Sequence, residues 1–344
     1  MTRFRARATV FLLTAALGCA AAAVPALTAN ASAPGTPLAT GWLAAQLVQG
    51  NHFVSVYDKV TSPAQGETID AVLAFAAAKD QNAAGAKAIS WLKEPAVLSG
   101  YIGAGTESYV GATAKLALAA EVRDYNPTHF GNVNLIARLD KLLTKSGRYS
   151  DHSAYGDYSN AFSQALAIIA LSRHGGAPAK AVSFLISSEC KNGGYPLDFG
   201  QKKCVSDTDS TAMDAQALLA AGQRTAALRG LKWLASRQQA NGGFAATGAT
   251  SPNANTTGLA GEAFAAAGQS HEAALAAKFL TGLQLGCSAP STERGALAYD
   301  KTGYNVSTAV DATAQGILGL ADVSLAKLSS LGSSNTTMKL VCAG

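Results

Sequence analysis

Two kinds of segment alternate along the chain, and that alternation limits its fold more than any single motif does. The first kind joins an aromatic-Leu pair to a polar helical turn and a Gly-Gly-aromatic stop. The best copies are GLKWLASRQQANGGF (230–244) and KAVSFLISSECKNGGY (180–195). Weaker copies end at Tyr101, Tyr149 and Gly286, and the earliest runs from Gly41 to Phe53. The second kind is richer in Ala and Leu and begins at Thr68, Gly111, Phe162, Ser210, Thr256 and Ser307.

Ala, Leu, Lys, Gln and Arg dominate both kinds, so both predict helix. The charged kind carries an apolar stripe, as in Leu231 and Leu234 flanking Trp233. The Ala/Leu kind is apolar nearly all round and must be buried on most sides. Gly222 and Gly268 fall where helices need a left-handed stop. The pattern predicts an all-α fold, an α/α toroid of about six inner and six outer helices closed into a ring. Closure would pair residues 38–50 with 307–321. An open solenoid is the competing layout, but it would want polar capping repeats, and none is evident.

The N-terminus reads as a secretion signal. Arg3, Arg5 and Arg7 precede an apolar run, Val10 to Ala23, and Ala29-Asn30-Ala31 before Ser32 suits a Sec-type cleavage, with Ala33 as the alternative. Cys19 only loosely fits a lipidation signal. The expected organisation is therefore a leader over 1–31 and a single toroid domain over 32–344. Losing three arginines lowers the net charge from +5 to +2, too small for a nucleic-acid footprint or strong membrane attraction. No transmembrane segment is expected in the mature chain.

Cys190, Cys204, Cys287 and Cys342 remain, an even number that suits two disulfides in an exported chain. Three pairings are open. Cys190–Cys204 is favoured because it closes a short loop, which leaves Cys287–Cys342 and would tie the tail to the last outer helix.

The KWLASRQQANGGF and SFLISSECKNGGY segments resemble the repeats of the terpenoid cyclase and protein prenyltransferase superfamily. That resemblance covers nearly all of residues 32–344 and implies a toroid with a central cavity. It says little about activity. Asp207-Thr208-Asp209-Ser210 is similar to the Asp-x-Asp-Asp acid motif of class II cyclases, with Ser210 in place of the last aspartate. The resemblance would make Asp209 the acid, but a carboxyl that protonates an alkene needs a partner to hold it acidic. The Asp-x-Cys zinc pair of prenyltransferases, the Cys-Gly-Glu-Gln thioester run and the Asp-Asp-x-x-Asp magnesium motif are all missing.

Asp209 stands just before the inner segment at Ser210, as Asn255 and Asn305 stand near theirs, so helix capping is its expected role and acid catalysis with Asp207 the alternative. Tyr149, Asp151, His152, Tyr155, Asp157 and Tyr158 form the densest polar-aromatic cluster, on a loop expected at the rim where inner helices begin. Asp70, Asp214, Glu262 and Asp311 interrupt apolar segments; a buried unpaired carboxylate is costly, so each should face the cavity, its mouth or a partner. Asp70, Asp214 and Asp311 also suit first-turn dipole roles. The five histidines show no metal spacing, and neither a metal nor a cofactor is implied. The leading reading is a secreted toroid that binds a small apolar or amphipathic ligand, or a partner, at its cavity or rim. The alternatives are a reduced cyclase-like enzyme using Asp209, a polysaccharide-acting enzyme on the same scaffold, and a structural role.

Overall fold

Alanine lets the inner helices approach closely enough to close a ring. The computed structural model describes residues 35–336 together with 338, 340 and 342; the leader, its cleavage site and Cys19 lie outside them. The helices in chain order are α1 (Thr36–Ala45), α2 (Gln65–Ala78), α3 (Asn82–Leu92), α4 (Pro95–Ile102), α5 (Val110–Val122), α6 (Leu135–Leu142) and α7 (Ala161–His174). They continue as α8 (Ala179–Ser187), α9 (Thr208–Ala220), α10 (Arg224–Ala235), α11 (Ala254–Ala267), α12 (Ser270–Thr281) and α13 (Ala309–Leu320).

Helices α2, α5, α7, α9, α11 and α13 touch one another in that cyclic order, and α13 closes back on α2. At the tightest crossing, any side chain on Gly319 of α13 would collide with Gly258 of α11. The remaining helices lie outside, α3 on α2, α6 on α5, α10 on α9 and α12 on α11. Each buries one stripe; in α10, Leu231 and Leu234 are fully covered while Trp233 is partly exposed. The seam forms where expected, with α1 packed on both α13 and α2. One outer segment differs from its sequence reading: Pro95 starts a new turn, so residues 82–102 form two helices, α3 and α4.

A repeated hydrogen bond fixes the register of the inner helices. Phe53, Tyr149, Tyr195, Phe244 and Leu297, each ending a turn, donate their backbone N–H to Thr68 (3.0 Å), Gln164 (2.8 Å), Thr211 (2.9 Å), Thr257 (2.9 Å) and Thr313 (3.0 Å). The turns themselves need glycine. Gly242 has φ +87°, and a side chain there would strike the Leu275 carbonyl of α12.

Two short antiparallel ladders decorate the rim where inner helices begin: β1 (Phe53–Tyr57) with β2 (Val60–Ala64), and β3 (Tyr195–Pro196) with β4 (Ser206–Asp207). Disulfides join Cys190 to Cys204 and Cys287 to Cys342, each with 5.5 Å between Cα atoms. The first pins the loop before α9 and the second ties down the tail; both indicate an oxidising compartment. Among the described residues no helix is long and apolar enough to cross a membrane.

After α13 the chain folds back across the opposite end of the ring. The Arg173 guanidinium of α7 donates to the carbonyls of Leu325, Ala326 and Leu328. Ser330 N–H bonds the Val122 carbonyl at 2.8 Å, and Lys79 Nζ donates to Ser329 and Leu331. Leu325 and Leu328 join the core.

Candidate functional site

The N-caps of the inner helices set which side chains face the centre of the ring. They are Ala64, Tyr109, Asn160, Asp207 and Asn253, and the Thr313 bond places α13 in the same register. The second, sixth and ninth residues beyond each cap lie on one helical face. The second positions form a first ring of Gly66, Gly111, Phe162, Asp209, Asn255 and Asp311, all partly exposed. The sixth positions form a second ring of Asp70, Lys115, Leu166, Met213, Leu259 and Gln315, partly exposed apart from Met213. The ninth positions, Leu73, Leu118, Ile169, Gln216, Glu262 and Leu318, are all buried.

Exposure thus falls to nothing over seven residues, about 10 Å of helix rise. The result is a blind cup, open at the helix N-termini. Its floor is the third ring, sealed from beneath by the tail, whose Leu325 N–H bonds Gln216 Oε1 at 3.3 Å.

The wall has two characters. Phe162, Leu166, Met213 and Leu259 make an apolar side. Asp70, Lys115 and Asp311, with Glu67 nearby, make a charged side. Lys115 pairs with Asp70 at 2.8 Å and donates to the Gly66 carbonyl. Burial opposes the Lys115 charge, but Asp70 outweighs it and the ammonium is held above its ordinary range. Burial raises the Asp311 carboxyl to about 6, with the charges of Asp70 and Glu67 adding to the effect. On the floor, Gln216 Nε2 donates to Glu262 Oε2 at 3.2 Å. Glu262 Oε1 has no partner, the residue is 0% exposed, and burial pushes its carboxyl up to about 8.

The structure corrects the reading of Asp209. Asp207 caps α9, accepting the Ser210 N–H at 2.8 Å, and Asn253 does the same for α11 through Thr256 at 2.9 Å. Asp209 and Asn255 sit two residues further on, where the helix turns them inward, each with a buried unpartnered Oδ1. Asn305 is no cap of α13; it bonds Ser307 N–H in the preceding turn. Burial, aided by the Asp207 charge, raises Asp209 to about 6 against an offsetting bond from Thr256.

Asp214 lies seven residues beyond its cap, and this turns it outward, away from the cup. It is 0% exposed, both its oxygens lack partners, its charge reaches Tyr195 of the outer turn, and burial holds its carboxyl well above the ordinary range.

The 149–158 loop does not converge on the cup. Tyr149 is buried in the core with an unpartnered hydroxyl. Asp151 accepts the Val110 N–H at 2.7 Å, closing the start of α5, and His152 bridges Ser108 through its backbone. Asp157 accepts from Asp151 and Ser159 and pairs with Arg148 at 3.0 Å. Tyr155 and Tyr158 stand 78% and 75% exposed. They belong to a wider collar: Val56, Val60, Val205 and Val306 are also exposed, each in a segment leading into an inner helix.

Lys115, Gln216 and the apolar wall escaped the sequence reading. Aligning the Ala/Leu segments on the Thr or Gln four residues past each cap would have placed them.

Neither a family model nor a curated protein matches the sequence. Solved structures do. A protein from Actinoplanes matches with a TM-score of 0.62 at 15% identity, covering 84% of this chain and 98% of its own. An inactive variant of an α-1,6-mannanase from Salegentibacter sp., solved with α-1,6-mannotriose, has a TM-score of 0.63 at 10% identity, covering 85% and 99%. A type II terpene cyclase variant from Scytonema, in complex with geranylgeranyl dihydroxybenzoate, has a TM-score of 0.60 at 12% identity, covering 83% and 95%. The chain therefore has the α/α-toroid fold found in terpene cyclases and in glycosidases.

Proposed function

We propose that the protein binds a small amphipathic molecule in the cup, its apolar body on the Phe162, Leu166, Met213 and Leu259 side and its polar group on the carboxylate side. The observation that carries this reading is the graded closure of the three rings onto a floor with an unsatisfied polar atom, Glu262 Oε1. A concave site with an apolar wall and a few placed polar groups suits a small organic ligand. The exposed apolar collar gives such a ligand an apolar approach. Among the similar toroids, the terpene cyclase was solved with geranylgeranyl dihydroxybenzoate, a prenyl chain on a polar ring, which fits the same division.

A second reading, acid catalysis by Asp209, is favoured by its raised carboxyl at the cup mouth. It is weakened by the empty Oδ1, because Thr256 alone offsets the burial that holds the carboxyl up. We place the protein outside the cytoplasm, exported by the leader over 1–31 and working as one toroid domain over 32–344.

Filling the cup tests the binding reading. The wild-type protein is expected to brighten N-phenyl-1-naphthylamine, and Leu259→Trp to weaken that binding roughly tenfold or more by occupying the apolar wall. Leu166→Trp provides a second filled cup should the first variant fold poorly. Undiminished dye binding by a filled variant with wild-type melting behaviour would overturn the reading.

A further inference from the structure

The charges around the cup are unequal. Its titratable groups are Glu67 and Asp70 from α2, Tyr101 from α4, Lys115 from α5, Asp209 from α9, Glu262 from α11 and Asp311 from α13, with Asp207 and Tyr299 beside Asp209. Helix α7 contributes only apolar side chains to the three rings, and Lys327 of the tail is exposed. Five carboxyls thus face one ammonium, and that ammonium is already committed to Asp70. The deepest carboxyl, Glu262, keeps one oxygen free of any donor at 0% exposure. A buried polar atom without a partner is a costly arrangement that a ligand group would relieve.

We propose that the ligand is a cationic amphiphile, a primary amine whose ammonium descends to Glu262 while its chain runs up the apolar wall toward the collar. This rests on the cup reading and goes beyond it by assigning charge and orientation. A primary ammonium supplies donors for Glu262 Oε1 once that carboxyl ionises and for Asp70 of the second ring. An anionic head would pass the carboxyls of the first and second rings with like charge. A neutral alcohol would fill the floor but leave the excess negative charge uncompensated.

Entry of a cation also has a proton consequence. Glu262, held up to about 8, carries its proton at neutral pH, and a neighbouring cation favours its ionisation. Binding therefore releases protons near pH 7 and tightens as pH rises toward 8.

The test is calorimetric titration of the protein with octylammonium, octanol and octanoate, each in phosphate and in Tris at pH 7. Octylammonium is expected to bind roughly tenfold or more tighter than octanol, and octanoate weakest. Only octylammonium is expected to show a buffer-dependent heat. In Glu262→Gln, that buffer dependence and most of the preference are expected to vanish while octanol binding persists, which also shows that the cup is intact. Octanol binding as tightly as octylammonium, or octanoate binding tightest, would overturn the cationic assignment and leave the cup reading standing. Failure of all three to bind would overturn both.

Discussion

The two ends of the toroid are built from the same inner helices, yet they have opposite characters. At the C-terminal end the tail lies across the opening and its backbone is matched by partners: Arg173 donates to three carbonyls, Lys79 donates to two, and Asp80 accepts the Thr336 N–H at 2.7 Å. At the N-terminal end Asn160, Asp207 and Asn253 cap α7, α9 and α11, and side chains of Asp209, Asn255 and Glu262 keep buried oxygens without partners. The inner-helix N-termini also present their positive dipole ends there, which favours carboxylate charge around them. The ring of helices is thus neutral as to function. The tail seals one end and the cup opens at the other; buried polar atoms without hydrogen-bond partners occur at both, Arg173 Nε and Ser333 Oγ at the tail, Asp209 Oδ1, Asn255 Oδ1 and Glu262 Oε1 in the cup.

Breaking the sealed end should have the largest effect. Arg173→Ala removes the donor to three tail carbonyls and leaves Glu121, 3.5 Å away, without its guanidinium. A loss of about 3 kcal/mol is expected in urea unfolding. A loss below about 1 kcal/mol would mean the strap adds little.

At the open end, two aspartates one residue apart should respond in opposite directions. Asp209→Asn removes a carboxyl whose pKa rises from 3.8 to about 6 on folding. Such a group costs nothing below pH 4, where both states are protonated, and its penalty grows as pH climbs from 4 to 6. Above pH 6 the variant should therefore be more stable than wild type by about 2 kcal/mol, with a flatter stability profile between pH 4 and 6. Asp207→Ala removes the cap of α9 and should cost about 1 kcal/mol at neutral pH. Chemical denaturation across pH reads both, and destabilisation by Asp209→Asn would return Asp209 to the capping role.

The architecture was largely legible in the sequence because repetition exposes it. Alternating segments gave the closed toroid, Gly222 and Gly268 mark left-handed stops at φ +74° and +75°, and the paired cysteines join as spacing suggested. The site was less legible because direction depends on register to a single residue. Asp214 and Glu262 look alike in the chain, each an acid in an Ala-rich run. One stands seven residues past its cap and faces the outer layer; the other stands nine past and reaches the floor. A cap assigned two residues late, at Asp209 and Asn255, hides that difference. The split of the second outer segment at Pro95 was visible, but the repeat pattern masked it.

The contrast between the ends is tested most directly by nuclear magnetic resonance on methyl-labelled protein titrated with octylammonium. The expected result is contacts from the alkyl chain to methyls of Leu166, Met213 and Leu259 in the cup. No shift is expected at Ala326 or Leu328, which line a groove of about 700 Å³ beneath the strap. Contacts at Ala326 and Leu328, with the cup methyls unmoved, would contradict it.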